Sequence, residues 1–192
     1  MNEQNLNLHI KAFILEDKKR RLVLDQPAHS ILGNFLGILA AQLSQAGLYA
    51  TIKNLSNVAK NPYPHVWSYW SSQAAGAAIG LVVGTGTTAV ALSNYNLELL
   101  ISHGSAINQL VYNAGTFSVM TKASDFWRLV ISRTYSNLSG GTINISEAGF
   151  YSMFFDGGST DYCLIIRDVF TPVPVLDGKV FNIEYTISIP LL

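Results

Sequence analysis

The chain is short of charge. Between Asn61 and Leu97 there is no Asp, Glu, Lys or Arg in 37 residues, and Glu98 is then the only such charge before Lys122. Charged residues are 12% of the whole, against roughly 25% in an ordinary soluble domain. Twelve Lys and Arg balance twelve Asp and Glu, so the formal net charge is zero. That balance argues against a general nucleic-acid binder, which needs surplus basic side chains to displace counterions from phosphate. Zero net charge with 49% hydrophobic residues instead favours association, because nothing keeps the copies apart.

Cysteine is nearly absent as well. Cys163 stands alone, which excludes an intrachain disulfide and a Cys-based zinc site. Its neighbours, Tyr162 and Leu164–Ile166, form an apolar run, the setting of a buried, inert thiol. The first residues, MNEQNLNLHIKAF, lack the basic-then-apolar order of a secretory signal. Together these features suggest folding in a reducing cytoplasm. His9, His29, His65 and His103 show no HxH or HExxH spacing, and no GxSxG occurs. No metal, cofactor or catalytic set is therefore expected. Arg167-Asp168 is the most conspicuous charged pair, but strand neighbours point to opposite faces. Each is expected to anchor a turn or a neighbouring loop. No repeat of 20–50 residues or low-complexity linker is present.

Nine of the 24 formal charges fall within residues 1–25. Leu6, Leu8 and Ile10 alternate with polar residues, as in a half-buried strand. The run from Glu16 to Arg21 predicts a hairpin with a solvated, charged turn. Residues 28–46 predict a helix, with Ile31, Leu32, Phe35, Leu36, Leu39 and Leu43 as the apolar stripe, Pro27 in the first turn and Gly47 at the stop. A short strand is expected over Tyr49–Asn54 and a loop over Asn57–Pro64. Strands are predicted at Ile79–Gly84, Gln109–Met120, Phe126–Tyr135, Thr142–Phe155, Tyr162–Val169 and Val180–Ile189, separated by Gly, Asn, Asp and Ser turns. Strands this close, with no helix between them, pair antiparallel. The expected fold is an antiparallel β-sandwich, with a jelly roll as one variant, and one principal N-terminal helix. It divides into strands plus helix at 1–54 as a docking part, an aromatic and Gly/Ala loop at 55–78 and a sandwich body at 79–192, all in one compact domain.

Three readings compete for the uncharged stretch. Ala74–Leu92 has the length of a membrane span, and Gly76, Gly80 and Gly84 form a close-packing ladder. Yet Thr85, Thr87 and Thr88 crowd it, and no Lys/Arg cluster flanks it. Gly84–Ala89 fits GxGxx(G/A) after a candidate strand. The helix and the acidic residue about 20 positions on that a dinucleotide fold requires do not follow, since Ser93–Asn96 interrupts and Glu98 comes too soon. The third reading buries the stretch in a β-rich core or between subunits. There Tyr63, Trp67, Tyr69 and Trp70 are the candidate interface residues, aromatic and uncharged like the centre of a contact.

One further pattern concerns order along the chain. GLVVGTGTTAVALSNYNL from Gly80 to Leu97 is followed by ISHG at 101–104, QLVY at 109–112, INISEAG at 143–149 and LIIRDV at 164–169. Val173-Pro174-Val175, Asp177-Gly178 and YTISI at 185–189 close the series, and Asn34-Phe35 in the helix fits its opening. Across residues 28–189 this succession resembles a family of small structural proteins encoded by tailed bacteriophages. The resemblance implies a virion subunit of the neck, tail or capsid exterior, with copies of itself and other virion proteins as partners. It supplies no catalytic residues. Two other readings stay open. One is a carbohydrate- or receptor-binding sandwich using Trp67, Tyr69 and Trp70. The other is an enzyme holding a nucleotide at Gly84–Ala89. A membrane span and a specific nucleic-acid partner are not expected.

Overall fold

A computed structural model describes residues 6–16, 19–28, 30–43, 51–63, 76–122 and 125–190. The strands in chain order are β1 (Asn7–Glu16), β2 (Lys19–Pro27), β3 (Ile52–Lys53), β4 (Ala59–Lys60), β5 (Gly80–Gly84), β6 (Val111–Tyr112), β7 (Thr116–Phe117), β8 (Thr121–Lys122), β9 (Phe126–Ser136), β10 (Ile143–Phe155), β11 (Thr160–Val175) and β12 (Val180–Pro190). The helix α1 spans Gly33–Leu43.

The larger sheet runs β2-β1-β12-β9-β6, with β7 and β8 also pairing with β9. The smaller runs β11-β10-β5, and β3-β4 form a separate short ribbon. Every strand pairing is antiparallel. The two main sheets pack on each other as a β-sandwich. Alternation explains the inner face of the larger sheet. Leu8, Ile10, Ala12 and Ile14 of β1 are buried, as are Phe181, Ile183 and Tyr185 of β12. The N-terminal hairpin therefore belongs to the sandwich, since β1 pairs with β12 along Asn7–Leu15.

Strand β10 behaves differently, because Ile145 to Ser152 are all buried. Both of its faces must be covered. On one side Phe150 meets Phe117 of the larger sheet, ring edge to face at 6.3 Å. On the other lies the chain between β5 and Leu100, uncharged but for Glu98. That chain turns back along β5, with Thr85 N–H donating to Leu99 C=O at 3.0 Å. The uncharged stretch thus supplies one strand of a sheet and the cover over its outer face. No helix among the described residues is long and apolar enough to cross a membrane.

Two side chains tie the sheets together. Arg133 of β9 is 1% exposed. Its guanidinium donates to the carbonyls of Gly76 (2.7 Å), Ile79 (3.0 Å), Leu81 (2.9 Å) and Asn113 (2.7 Å), and it lies 5.0 Å from the Tyr112 ring centre. Asp168 of β11 accepts from the Tyr185 hydroxyl of β12 at 2.9 Å. Arg167 and Asp168 do point to opposite faces; Arg167 anchors the turn at 94–98 as expected, whereas Asp168 reaches strand β12 of the facing sheet. Cys163 is fully buried, and burial pushes its thiol up to about 12.

The helix corrects one expectation. Its buried residues are Asn34, Gly37, Ile38 and Ala41, while Leu36, Leu39 and Leu43 of the predicted stripe are 63%, 42% and 77% exposed. The reason is the polar tether and the small residues on the inner side. Asn34 Nδ2 donates to the carbonyls of Lys53 and Leu164 at 2.9 and 3.0 Å, and its Oδ1 accepts from Lys53 N–H at 2.9 Å. Glycine and alanine then let α1 sit close on β11, where a leucine face would stand off. Two of the predicted strands also differ in extent. Gln109–Met120 is broken into β6 and β7, and β11 continues to Val175.

Candidate functional site

The glycine-rich loop does hold anions at its backbone amides, but they are the protein's own. Glu147 Oε1 accepts from Gly86 N–H at 3.1 Å and Leu99 N–H at 2.8 Å. Its Oε2 accepts from Glu98 N–H at 3.1 Å and from Arg167 Nε at 3.0 Å. Glu98 in turn accepts from Thr87 and Thr88 N–H at 2.9 and 2.8 Å, and from the Thr88 hydroxyl at 2.7 Å. These donors are the groups a phosphate would use in a dinucleotide loop. The glycines are bare for the same reason. A Cβ at Gly84 would stand 2.4 Å from Glu147 Oε1, and one at Gly86 2.6 Å from the same atom.

Arg167 sits behind this arrangement at 1% exposure. Nε goes to Glu147, Nη1 donates to Asn94 Oδ1 at 3.0 Å, and Nη2 lies 3.6 Å from Glu98 Oε2 without a hydrogen-bond acceptor. The Thr88 amide and hydroxyl, the Thr87 amide and the Arg167 charge hold the Glu98 carboxyl below its ordinary value. Burial raises the Tyr151 hydroxyl, which bonds Asn96. Gly149 leaves room for Leu97, whose Cδ2 would lie 2.8 Å from a Cβ there.

Two recesses flank the ridge made by Thr87–Thr88 and Glu98–Leu99. One, of about 330 Å³, is lined by Thr88, Asn94, Tyr95, Asn96, Glu98 and Arg167. The other, of about 550 Å³, is lined by uncharged residues including Thr85, Leu99, Asn108, Thr142 and Ser146. Among the described residues no three His, Cys, Asp or Glu side chains gather as a metal-binding group.

Of the four predicted interface residues, Trp67, Tyr69 and Trp70 lie outside the described residues. Tyr63 is half exposed, its N–H donates to Phe155 C=O at 2.8 Å, and its ring meets that of Phe155 edge to face. It stands at the end of the β10–β11 hairpin, away from the glycine-rich loop. Sequence reasoning passed over Glu147, which sits within a long strand signal and whose partners are about fifty to sixty residues earlier in the chain. The signal that pointed there was Glu98, the single charge at the exit of the uncharged stretch. The outward leucines of α1 were missed as a surface, because their spacing was taken for a core stripe. No family model, no curated protein and no solved structure matches this chain.

Proposed function

We propose that this chain is a structural subunit of a tailed-bacteriophage virion, in the neck, tail or capsid exterior. It acts by oligomerisation and by docking to other virion proteins, not by catalysis, and it folds in the host cytoplasm before assembly. The observation that carries the assembly reading is the outer face of α1. Leu36, Leu39 and Leu43 project from a helix with no charged residue, and Leu92, 76% exposed, stands beside its start, where Gly33 N–H donates to Leu92 C=O at 3.3 Å. Contiguous exposed leucine is rare on a solitary soluble chain and common at protein contacts. Symmetry multiplies a modest contact of this kind. The phage resemblance of residues 28–189 supplies the setting.

Size-exclusion chromatography with light scattering tests the assembly. The wild-type chain should run above its 20.9 kDa mass, and Leu39→Lys with Leu43→Lys should return it to that mass with no loss of thermal stability. A wild-type monomer at high concentration counts against self-assembly. Antibodies against the chain should decorate released phage particles, and label confined to the soluble cell fraction would overturn the virion reading.

A further inference from the structure

We propose that the recess between Thr88 and the 94–98 turn binds a neutral polyhydroxylated ligand, a sugar ring, with Tyr95 as its platform. Its volume of about 330 Å³ is at the small end of the roughly 300–1,000 Å³ typical of ligand sites. The hydrogen-bonding capacity of its lining selects the class of ligand. Asn94 Oδ1 is already taken by Ala91 N–H and by Arg167 Nη1, so Asn94 presents its amide nitrogen. Asn96 Oδ1 accepts from the Tyr151 hydroxyl, so Asn96 presents its nitrogen too. Arg167 Nη2 adds a third donor, buried and without an acceptor. Glu98 Oε1 accepts from the Thr88 hydroxyl and has a second lone pair for an incoming donor.

A matching ligand supplies several acceptors and at least one donor. An ammonium group supplies no acceptor. A phosphate or carboxylate supplies acceptors but adds negative charge where Glu98 and Glu147 already outnumber Arg167, a repulsion that strengthens out of bulk water. Hydroxyls donate and accept, and several on one ring answer all four groups. Tyr95, 36% exposed, offers the flat apolar body against which a ring's C–H face packs. The two carboxylates that fasten the loop also leave little to be ordered on binding. The inference does not rest on the assembly reading.

Amide NMR spectra of the isotopically labelled full chain, titrated into the millimolar range with glucose, galactose, N-acetylglucosamine and rhamnose, test it. At least one sugar should give saturable shifts at Thr88 and residues 94–98. Tyr95→Ala should weaken that binding by about tenfold and Tyr95→Phe by no more than about twofold, with the remaining spectrum unchanged. No saturable shift from any of the four sugars overturns the proposal. So does undiminished binding by Tyr95→Ala, or a saturable response of the same amides to inorganic phosphate. Sugar binding should persist in the Leu39→Lys, Leu43→Lys chain, which separates a failure here from a failure of assembly.

Discussion

Glu147 and Arg167 stand diagonally on neighbouring strands, Oε2 to Nε at 3.0 Å, both shut off from solvent. Gly149 lies opposite Arg167 in the register, so Glu147, two residues away, shares the arginine's face. From that face the pair reaches the whole return of the uncharged chain. Removing Arg167 leaves Glu147 buried without a counter-charge, and removing Glu147 leaves the buried Arg167 only the longer pairing with Glu98 at 3.6 Å; breaking such a buried pair typically costs about 3–5 kcal/mol. Glu147→Ala and Arg167→Ala should each lower the unfolding free energy measured by urea denaturation by about that amount, seen as a lower midpoint. The double variant should lose clearly less than the sum, because each single change already includes the cost of the stranded partner.

The glycine-rich loop gives a sharper test. Gly86→Ala forces a Cβ to within 2.6 Å of Glu147 Oε1 and Glu98 Cβ, overpacking that costs about 1–3 kcal/mol. Pairing it with Glu147→Ala should recover part of that loss. Calorimetric titration of ATP or NAD into the wild-type chain should be flat, since Glu147 and Glu98 already hold the N–H groups of residues 86–88. Saturable heat would return a nucleotide to this loop.

Acid should loosen two places. The Glu98 carboxyl is held below its ordinary 4.5 chiefly by the Thr88 amide and hydroxyl. Asp156 is held well below its ordinary 3.8 first by Lys60, 2.7 Å away, and then by the Ser159 and Gly158 amides. Both values are depressed in the folded chain. The stabilisation is therefore complete above the ordinary values and is lost as pH falls through the folded ones. Melting temperature should be nearly level from about pH 7 to 5 as far as these groups are concerned, then decline below about pH 4. Glu98→Gln and Lys60→Met should each flatten that decline, and an unchanged acid profile in both would remove these carboxylates as its source.

Asn34 is the polar tether of α1. Asn34→Leu orphans Lys53 N–H and the carbonyls of Lys53 and Leu164, at about 1–3 kcal/mol for each group left buried and unmet. Thermal unfolding should drop accordingly, and amide exchange should accelerate across Gly33–Leu43 before it does in β10. Equal acceleration in both would show that the helix and the sheet open as one unit.

The long strands were legible because alternation reports burial directly, as Phe181, Ile183 and Tyr185 do in β12. The helix was legible as a helix, but its periodicity is blind to which side is inside. Leu36, Leu39 and Leu43 have core chemistry and face out, whereas Asn34 faces in because its amide meets three backbone groups. Nothing local to Asn34 announces partners at Lys53 and Leu164. The GxG spacing was legible as a dinucleotide-like turn without the helix that such a fold requires. Its occupant was not, because Glu147 enters from a long strand signal far along the chain, with nothing local to mark its partners. Glu98 was the exception, an isolated charge whose position alone demanded a partner.

The pairing of β1 with β12 has a consequence for synthesis. Arg20 and Glu184, joined at 2.6 Å, are 164 residues apart, and the whole β1–β2 hairpin leans on that distant strand. At roughly 5–20 residues per second on the ribosome, β1 waits about ten to thirty seconds for the strand that completes its sheet. Until β5, β10 and β11 have emerged as well, Ile10, Ala12 and Ile14 have no sheet to face. Glu16, Lys19, Arg20 and Arg21 at the end of the hairpin then give charge to a nascent chain that is otherwise poor in it.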